Sequence, residues 1–191
     1  MKTLTKKVLS SVLAVAAVAT MGINAFAADV TTAGGDGKSD VLLTAEGATF
    51  SVTVPMNLSV SVDADGEVTV ANDVKIINNS HGQVQVTNVT IAGANDWATV
   101  DYATDMTKEK VGAKKIGFLI NNDTTTGADA ISFTQDNFPV MDGKNDSDSD
   151  ELPITYNAKL PAQKTAINGD KVADVTFTIG WYETDGSASI A

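Results

Sequence analysis

The acidic run at residues 142–151 is the part of this chain best suited to bind a metal ion. It reads DGKNDSDSDE, and hard cations such as Ca²⁺ prefer oxygen ligands, carboxylates above all. Three aspartates take positions one, three and five of an EF-hand-type loop: Asp146, Asp148 and Asp150. The match then ends, because such a loop requires glycine at position six and glutamate at position twelve. This chain has Glu151 and Asn157 at those positions.

Asp142 joins these three aspartates as a fourth candidate metal ligand. The set Asp142, Asp146, Asp148 and Asp150 predicts weak calcium binding at extracellular concentrations, for which a modest affinity is enough. A solvated acidic loop explains the same residues without any ligand. The sequence predicts no other cofactor.

Nucleophilic catalysis has little to build on in this sequence. The chain has one histidine, His81, and no cysteine, so a nucleophile–base pair would depend on that histidine alone. His81 lies in the polar turn 78–82, where hydrophilic residues are expected in any case. Two carboxylates for glycoside hydrolysis could be drawn from the 24 acidic residues, but nothing marks any two as partners. We therefore predict that the protein is not an enzyme.

Four lysines within eight residues form a basic cluster: Lys108, Lys110, Lys114 and Lys115. On an acidic protein, this cluster could contact the acidic run 142–151 of a neighbouring copy. Such a heterologous contact does not close and would propagate into a filament. Lysines that only keep a loop soluble explain the same cluster.

Lys75 and Glu183 raise the question of an intramolecular Lys–Asn isopeptide bond. Lys75 lies in an apolar strand pattern and Glu183 ends another, as an amine donor and a catalytic acid would. The sequence around Glu183 matches the acidic motif of isopeptide-forming pilin domains poorly. Strand alternation alone can also place Lys75 on the outside of a sheet.

Residues 1–27 have the pattern of a secretory signal peptide. Lys2, Lys6 and Lys7 form a positive end before the apolar stretch Val8–Met21, and Ala25-Phe26-Ala27 provides a small-x-small cleavage site. The apolar stretch is shorter than the roughly 20 residues that span a bilayer. We therefore predict a cleaved signal, export to the extracellular space or cell surface, and no membrane association after cleavage.

The 164 residues after the signal are strongly acidic. They contain 24 acidic residues, ten lysines and no arginine, which gives a formal charge of −14. Such a surface repels a phosphate backbone, so nucleic acid is excluded as a partner. Residues 28–40 contain three glycines and few apolar residues, which predicts a flexible leader. Residues 41–191 are then long enough for a single domain with its own core.

Alternation of apolar and polar residues from residue 41 onward indicates half-buried β-strands. It is clearest at 172–182, where Val175, Phe177, Ile179 and Trp181 share one face. Further strands are predicted at 50–54, 58–62, 68–70, 74–76, 83–91, 97–101, 116–121, 130–133 and 152–160.

Two local features of these strands are also predicted. The alternation changes phase between Val86 and Val89, which requires a bulge near Thr87-Asn88. Gly66 supplies the positive φ for a hairpin turn over residues 62–68. A turn of helix is expected around residues 105–111, and no longer helical period is found. About nine or ten short strands predict an all-β fold of two packed antiparallel sheets, a sandwich of jelly-roll or Ig-like type.

Three segments and the signal peptide carry a family resemblance: TFSVTVPMNLSVSVDADG, VKIINNSHGQVQVTNVTI and VADVTFTIGWYE. Over about two thirds of the mature chain, this layout resembles the TasA and camelysin group of secreted biofilm-matrix proteins of Gram-positive bacteria. The resemblance implies jelly-roll subunits in which an N-terminal strand of one molecule completes the sheet of the next. Residues 41–54 would be that donor strand, or an ordinary first strand of their own domain. Some relatives have been called metallopeptidases, but this chain lacks their H-E-x-x-H pattern.

These observations together predict a secreted, noncatalytic structural protein of the cell surface or extracellular matrix. Its partners would be further copies of itself, joined through strand edges, or other cell-surface components. The alternative is an extracellular binding or adhesion module. Its loops, above all 121–130 and 142–151, would then recognise a glycan, a protein or calcium.

Overall fold

The computed structural model describes residues 43, 45–144, 148–183 and 188–189. The predicted signal peptide 1–27 and leader 28–40 lie outside the described residues and stay predictions. The described residues from Glu46 onward form one compact unit. Within this described part, no helix is long and apolar enough to cross a bilayer.

Thirteen strands, of two to ten residues, build the described part of the chain. They are β1 Val52–Thr53, β2 Val60–Val62, β3 Val68–Val70, β4 Lys75–Asn78, β5 Val84–Gly93, β6 Ala98–Thr99, β7 Lys115–Ile120, β8 Asp123–Gly127, β9 Ala130–Ile131, β10 Glu151–Pro153, β11 Tyr156–Lys159, β12 Ala173–Tyr182 and β13 Ala188–Ser189. Two 3-10 turns lie between strands, Met106–Lys108 and Gln135–Asn137. The first of these falls within the turn of helix predicted from sequence.

The strands pair in four groups, and almost every pairing is antiparallel. One sheet has the order β1-β4-β10, a second β11-β7-β8-β9, and a third β13-β12-β5. Strands β2 and β3 form a separate hairpin, and β6 adds to β7 in parallel. The prediction of an all-β, antiparallel sandwich is therefore confirmed, with more and shorter strands than expected.

One apolar core joins these sheets. Its buried side chains come from β4, β5, β7, β10 and β11, from the segment between β9 and β10, and from two positions outside strands, Trp97 before β6 and Ile154 between β10 and β11. They are Ile76, Val84, Val86, Val89, Ile91, Trp97, Ile116, Phe118, Ile120, Phe138, Met141, Leu152, Ile154, Tyr156 and Ala158. Burial of this shared core is the main force that holds the layers together.

Both local predictions about strand geometry are confirmed. The register of β5 against β12 shifts between Thr178 and Ile179, which leaves Thr87 as the extra residue of a bulge. Because of this bulge, Val84 and Val86 before it and Val89 and Ile91 after it are all buried. In the β2–β3 hairpin, Gly66 adopts φ +88°.

The predicted strand 152–160 is two strands in two different sheets. Strand β10 pairs with β4, whereas β11 pairs with β7. Ile154 and Thr155 lie between them, and the backbone N–H of Ile154 donates to Val74 O at 2.8 Å. Apolar alternation continues through the crossing because both strands face the same core, so the pattern alone could not reveal the change of sheet.

Residues 121–130 are not the open loop that was predicted, because they contain strand β8. The inward positions of β8 are polar: Asp123 and Thr125 are 2% and 0% exposed. Asp123 accepts hydrogen bonds from Thr134 N at 2.9 Å and Asn137 Nδ2 at 2.8 Å. Thr125 Oγ1 accepts one from Phe118 N at 3.0 Å. Hydrogen-bonded polar residues replace the apolar ones that mark a buried strand, which is why the pattern was missed.

Candidate functional site

The acidic run is folded against the turn that follows β4. Asp142 Oδ1 accepts a hydrogen bond from Gln83 Nε2 at 2.7 Å, and the Asp142 N–H donates to Ser149 O at 2.9 Å. Asp150 is only 9% exposed, and the Glu151 N–H donates to Asp148 O at 3.1 Å. At least one of the four predicted calcium ligands thus has an intramolecular partner for its side chain.

Asp146 lies outside the described residues, so the four predicted ligands cannot be compared as a set. Among the residues that the structure describes, no group of three or more acidic or histidine side chains is arranged to hold a metal ion. The calcium site therefore stays a prediction.

Asn78 is the hub that fixes the acidic run in place. Its side chain is fully buried, and Nδ2 donates to Asp142 O at 2.7 Å and to Gly82 O at 2.8 Å. Oδ1 accepts from Ser80 N at 2.9 Å, and the Asn78 N–H donates to Asp150 O at 2.8 Å. One amide side chain thus joins the start of the acidic run to the polar turn 78–82.

The same turn holds the first strand. Ser51 N donates to Ser80 Oγ at 2.8 Å, and Asn79 N donates to Ser51 O at 2.8 Å. Val52 and Thr53 then pair with β4 within the same chain. Of the predicted donor strand 41–54, the structure describes residue 43 and residues 45–54. Within these described residues, only Val52 and Thr53 form a strand.

Apolar side chains around this short strand are left in solvent. Phe50, Val54 and Met56 are 38%, 43% and 96% exposed. Phe50 packs edge-on against Trp181 of β12, with ring centroids 5.2 Å apart. The Trp181 ring lies so close to Gly82 that a Cβ there would be 2.9 Å from Cζ3. The first strand is therefore held by a few specific contacts and buries little apolar surface.

Strand β12 has a long unpaired edge. Its inner side pairs with β5 from Ala173 to Trp181. On its outer side, β13 pairs only with Trp181 and Tyr182. Residues 173–180 have no outer partner among the strands that the structure describes. Their outward backbone groups are available to another strand.

The basic cluster is partly neutralised within the chain. Three of its lysines form ion pairs: Lys108 with Asp105 at 3.0 Å, Lys114 with Asp96 at 3.8 Å, and Lys115 with Glu109 at 2.8 Å. Hydrogen bonds from Thr107 and Lys108 hold the pKa of Asp105 below its ordinary value. Less positive charge is therefore free to attract the acidic run of a neighbouring copy than the sequence suggested.

Lys75 does not have the surroundings of an isopeptide donor. Its side chain is 43% exposed, and Nζ donates to Glu151 Oε1 at 2.6 Å. This hydrogen bond raises the pKa of Lys75, and the negative charges of Glu151, Asp148 and Asp150 act in the same direction. An ammonium ion stabilised in this way is a poor nucleophile, because attack requires the neutral amine. His81 lies on the exposed surface of its turn.

A cleft that the sequence did not reveal lies beside β6 and β7. Its volume is about 480 Å³, and it is bounded by Trp97, Gly112, Lys114 and residues of the segment 163–170. Trp97 is 5% exposed. Its Nε1 has no hydrogen-bond acceptor within the described residues. The sequence of the segment 163–170 has no apolar alternation, so it did not predict that this segment would lie next to Trp97.

Comparison of the chain with protein-family models, curated proteins and solved structures gives no match in any of the three.

Proposed function

We propose that this protein is an exported, noncatalytic structural subunit of the cell surface or extracellular matrix, and that copies associate through strand edges. The observation that carries the proposal is the outer edge of β12, which has no partner strand along residues 173–180 within the described part of the chain. Strand edges are templates for pairing with another chain, and monomeric proteins usually block them with short strands, bulges, prolines or charges.

Little blocks the β12 edge along residues 173–180. The strand is ten residues long, and its unpaired part contains one charged residue, Asp174, and no proline. Asp174 itself pairs with Lys171 at 2.5 Å. Val175, Phe177 and Ile179 are only partly buried, so an added strand would also cover apolar side chains.

The N-terminal segment supplies a partner of suitable chemistry. Phe50, Val54 and Met56 expose apolar surface around a strand of two residues. Strand addition in a second copy would bury these side chains and satisfy backbone groups at the same time. The resemblance to TasA-type matrix proteins agrees with this arrangement but does not define the register.

Two lysine substitutions on one sheet test the proposal. Thr176 on β12 and Thr90 on β5 are directly opposite each other and both are exposed. Thr176→Lys places a charge on β12 next to its outer edge, whereas Thr90→Lys places the same charge on β5, on the opposite side of β12 from that edge. Lysine at an edge opposes strand addition, so Thr176→Lys should reduce self-association of residues 28–191 in sedimentation velocity and Thr90→Lys should not.

A truncation tests what the residues before Phe50 contribute to the proposed contact. A chain that begins at Phe50 keeps the contacts of Ser51, Val52 and Thr53 but lacks the preceding residues. If residues 41–49 contribute to strand exchange, this chain should associate more weakly than residues 28–191. A wild-type protein that stays monomeric at every concentration, or equal loss of association in both lysine variants, contradicts the proposal.

A further inference from the structure

Asn168 and Gly169 form the one Asn-Gly pair in the sequence. They lie in the exposed segment between β11 and β12, where Gly169 adopts φ +72°. Glycine has no Cβ that could shield its own N–H, and a Cβ built at this position would meet nothing within 4 Å. The backbone nitrogen that follows the Asn168 side chain is therefore open to approach.

Within the described residues, no hydrogen bond holds the Asn168 side chain or the Gly169 N–H. Residues 164–170 as a whole form no hydrogen bond or ion pair with the described part of the chain. Backbone hydrogen bonds to the carbonyl oxygens of Ala162 and Val172 fix the two ends of this stretch. An exposed stretch without hydrogen bonds moves at little cost in free energy, so the Asn168 side chain can approach the Gly169 nitrogen.

Two other asparagines of the described part precede serine or alanine, and there the backbone N–H is already engaged. Asn79 precedes Ser80, whose N–H donates to Asn78 Oδ1 at 2.9 Å. Asn157 lies in β11, and the N–H of the next residue, Ala158, donates to Asn157 Oδ1 at 2.8 Å. Asn168 differs from both because the N–H that follows it has no such acceptor.

We propose that Asn168 is a site of spontaneous deamidation through a cyclic imide. The Gly169 nitrogen gives up its proton to solvent and attacks Cγ of Asn168 as a nucleophile. A new C–N bond forms, the bond from Cγ to Nδ2 breaks, and ammonia leaves after taking a proton from solvent. Water then opens the imide at either of its two carbonyls, which yields aspartate or isoaspartate at position 168. No carbon is oxidised or reduced in these steps.

Deamidation adds one negative charge close to Asp170, in a chain whose formal charge after residue 27 is already −14. Isoaspartate also lengthens the backbone by one methylene between the two fixed ends. Because residues 164–170 contribute no hydrogen bond to the described fold, both products should leave that fold intact. The modification is independent of the β12 edge and does not rest on the proposed self-association.

Trypsin gives a direct readout because it cleaves after Lys164 and Lys171. The resulting peptide, residues 165–171 with the sequence TAINGDK, contains Asn168 and no other asparagine. Folded protein comprising residues 28–191 is incubated at mildly alkaline pH, and synthetic TAINGDK is incubated beside it as the unfolded reference. Mass spectrometry follows the exchange of NH₂ for OH with time. A sample digested without incubation corrects for deamidation during digestion.

The rate at Asn168 in the folded protein should be within about tenfold of the rate in the peptide, because little free energy is needed to open this segment. Asn79 should remain an asparagine over the same time. Isoaspartate should appear beside aspartate, since the cyclic imide yields both. Asn168→Gln is the control variant: its side chain is one methylene longer and closes the ring far more slowly, so peptide 165–171 should keep its mass.

Two results would overturn the proposal. One is folded protein in which Asn168 stays intact while the synthetic peptide deamidates, which would show that the fold holds the side chain away from the Gly169 nitrogen. The other is aspartate without isoaspartate, which would show direct hydrolysis of the amide and no imide.

Discussion

Asn78→Ala should destabilise the protein strongly, although it removes only one small polar side chain. The substitution deletes three hydrogen bonds, to Asp142 O, Gly82 O and Ser80 N. Each intramolecular hydrogen bond contributes about 1 kcal/mol net, and buried partners left unpaired add to the loss. We expect the free energy of unfolding to fall by about 3 kcal/mol. This is a large part of the 5–15 kcal/mol typical of a domain.

Urea denaturation measures this loss, and the neighbouring asparagine is the control. With a slope of about 2 kcal/mol/M, a loss of about 3 kcal/mol lowers the midpoint by about 1.5 M. Asn79 is exposed, and its Nδ2 donates to Thr53 Oγ1 at 2.9 Å. Asn79→Ala should therefore cost less than about 1 kcal/mol. Equal midpoints for the two variants would refute the assignment of Asn78 as the hub of the acidic run.

Three further predictions follow from individual contacts. A Cβ on Gly93 would lie 2.0 Å from Trp97 O, whereas one on Gly47 would meet nothing within 4 Å. Gly93→Ala should therefore lower the free energy of unfolding by about 2 kcal/mol or more. A melting temperature equal to that of the control variant Gly47→Ala would contradict this. The raised pKa of Lys75 means that its pair with Glu151 stabilises the fold below the unfolded value of 10.5 and is lost as the pH rises through the folded value. The urea midpoint of wild-type protein should therefore fall more steeply above that pH than the midpoint of Lys75→Met, and parallel curves would argue against the pair. Calcium titration calorimetry should detect an affinity in the range of about 10⁻⁴–10⁻³ M that Asp148→Asn weakens, and absence of heat would exclude the predicted site.

The sequence predicted the strand pattern best where one face of a strand is apolar. The alternation at 172–182 predicted the long strand β12, and the change of phase between Val86 and Val89 predicted the bulge in β5, because side chains alternate with a fixed period of two. Strand β8 was not predicted because its inward-facing residues, Asp123 and Thr125, are polar. Their burial depends on hydrogen bonds with Asn137 and Phe118, 14 and seven residues away, which strand alternation does not reveal.

Candidate sites were harder to predict than strands, because a site depends on which loops meet. The acidic run 142–151 could be recognised from its residue composition. The side chain that holds it, Asn78, lies 64 residues away from Asp142 in the sequence. The cleft beside Trp97 brings that residue, which precedes β6, together with the segment 163–170. The ion pairs of the basic cluster link residues only three to 18 positions apart, yet residue type alone did not show which lysines would be paired.

Hydrogen exchange of the β12 backbone tests self-association through this edge most directly. In residues 173–180, amides that face β5 are protected within each molecule, whereas amides on the outer side are protected only if another strand pairs with them. We predict that protection of the outward amides rises with protein concentration and stays low in Thr176→Lys. Protection that is the same at low and high concentration, in a sample that nevertheless associates, would show that the copies meet through another surface.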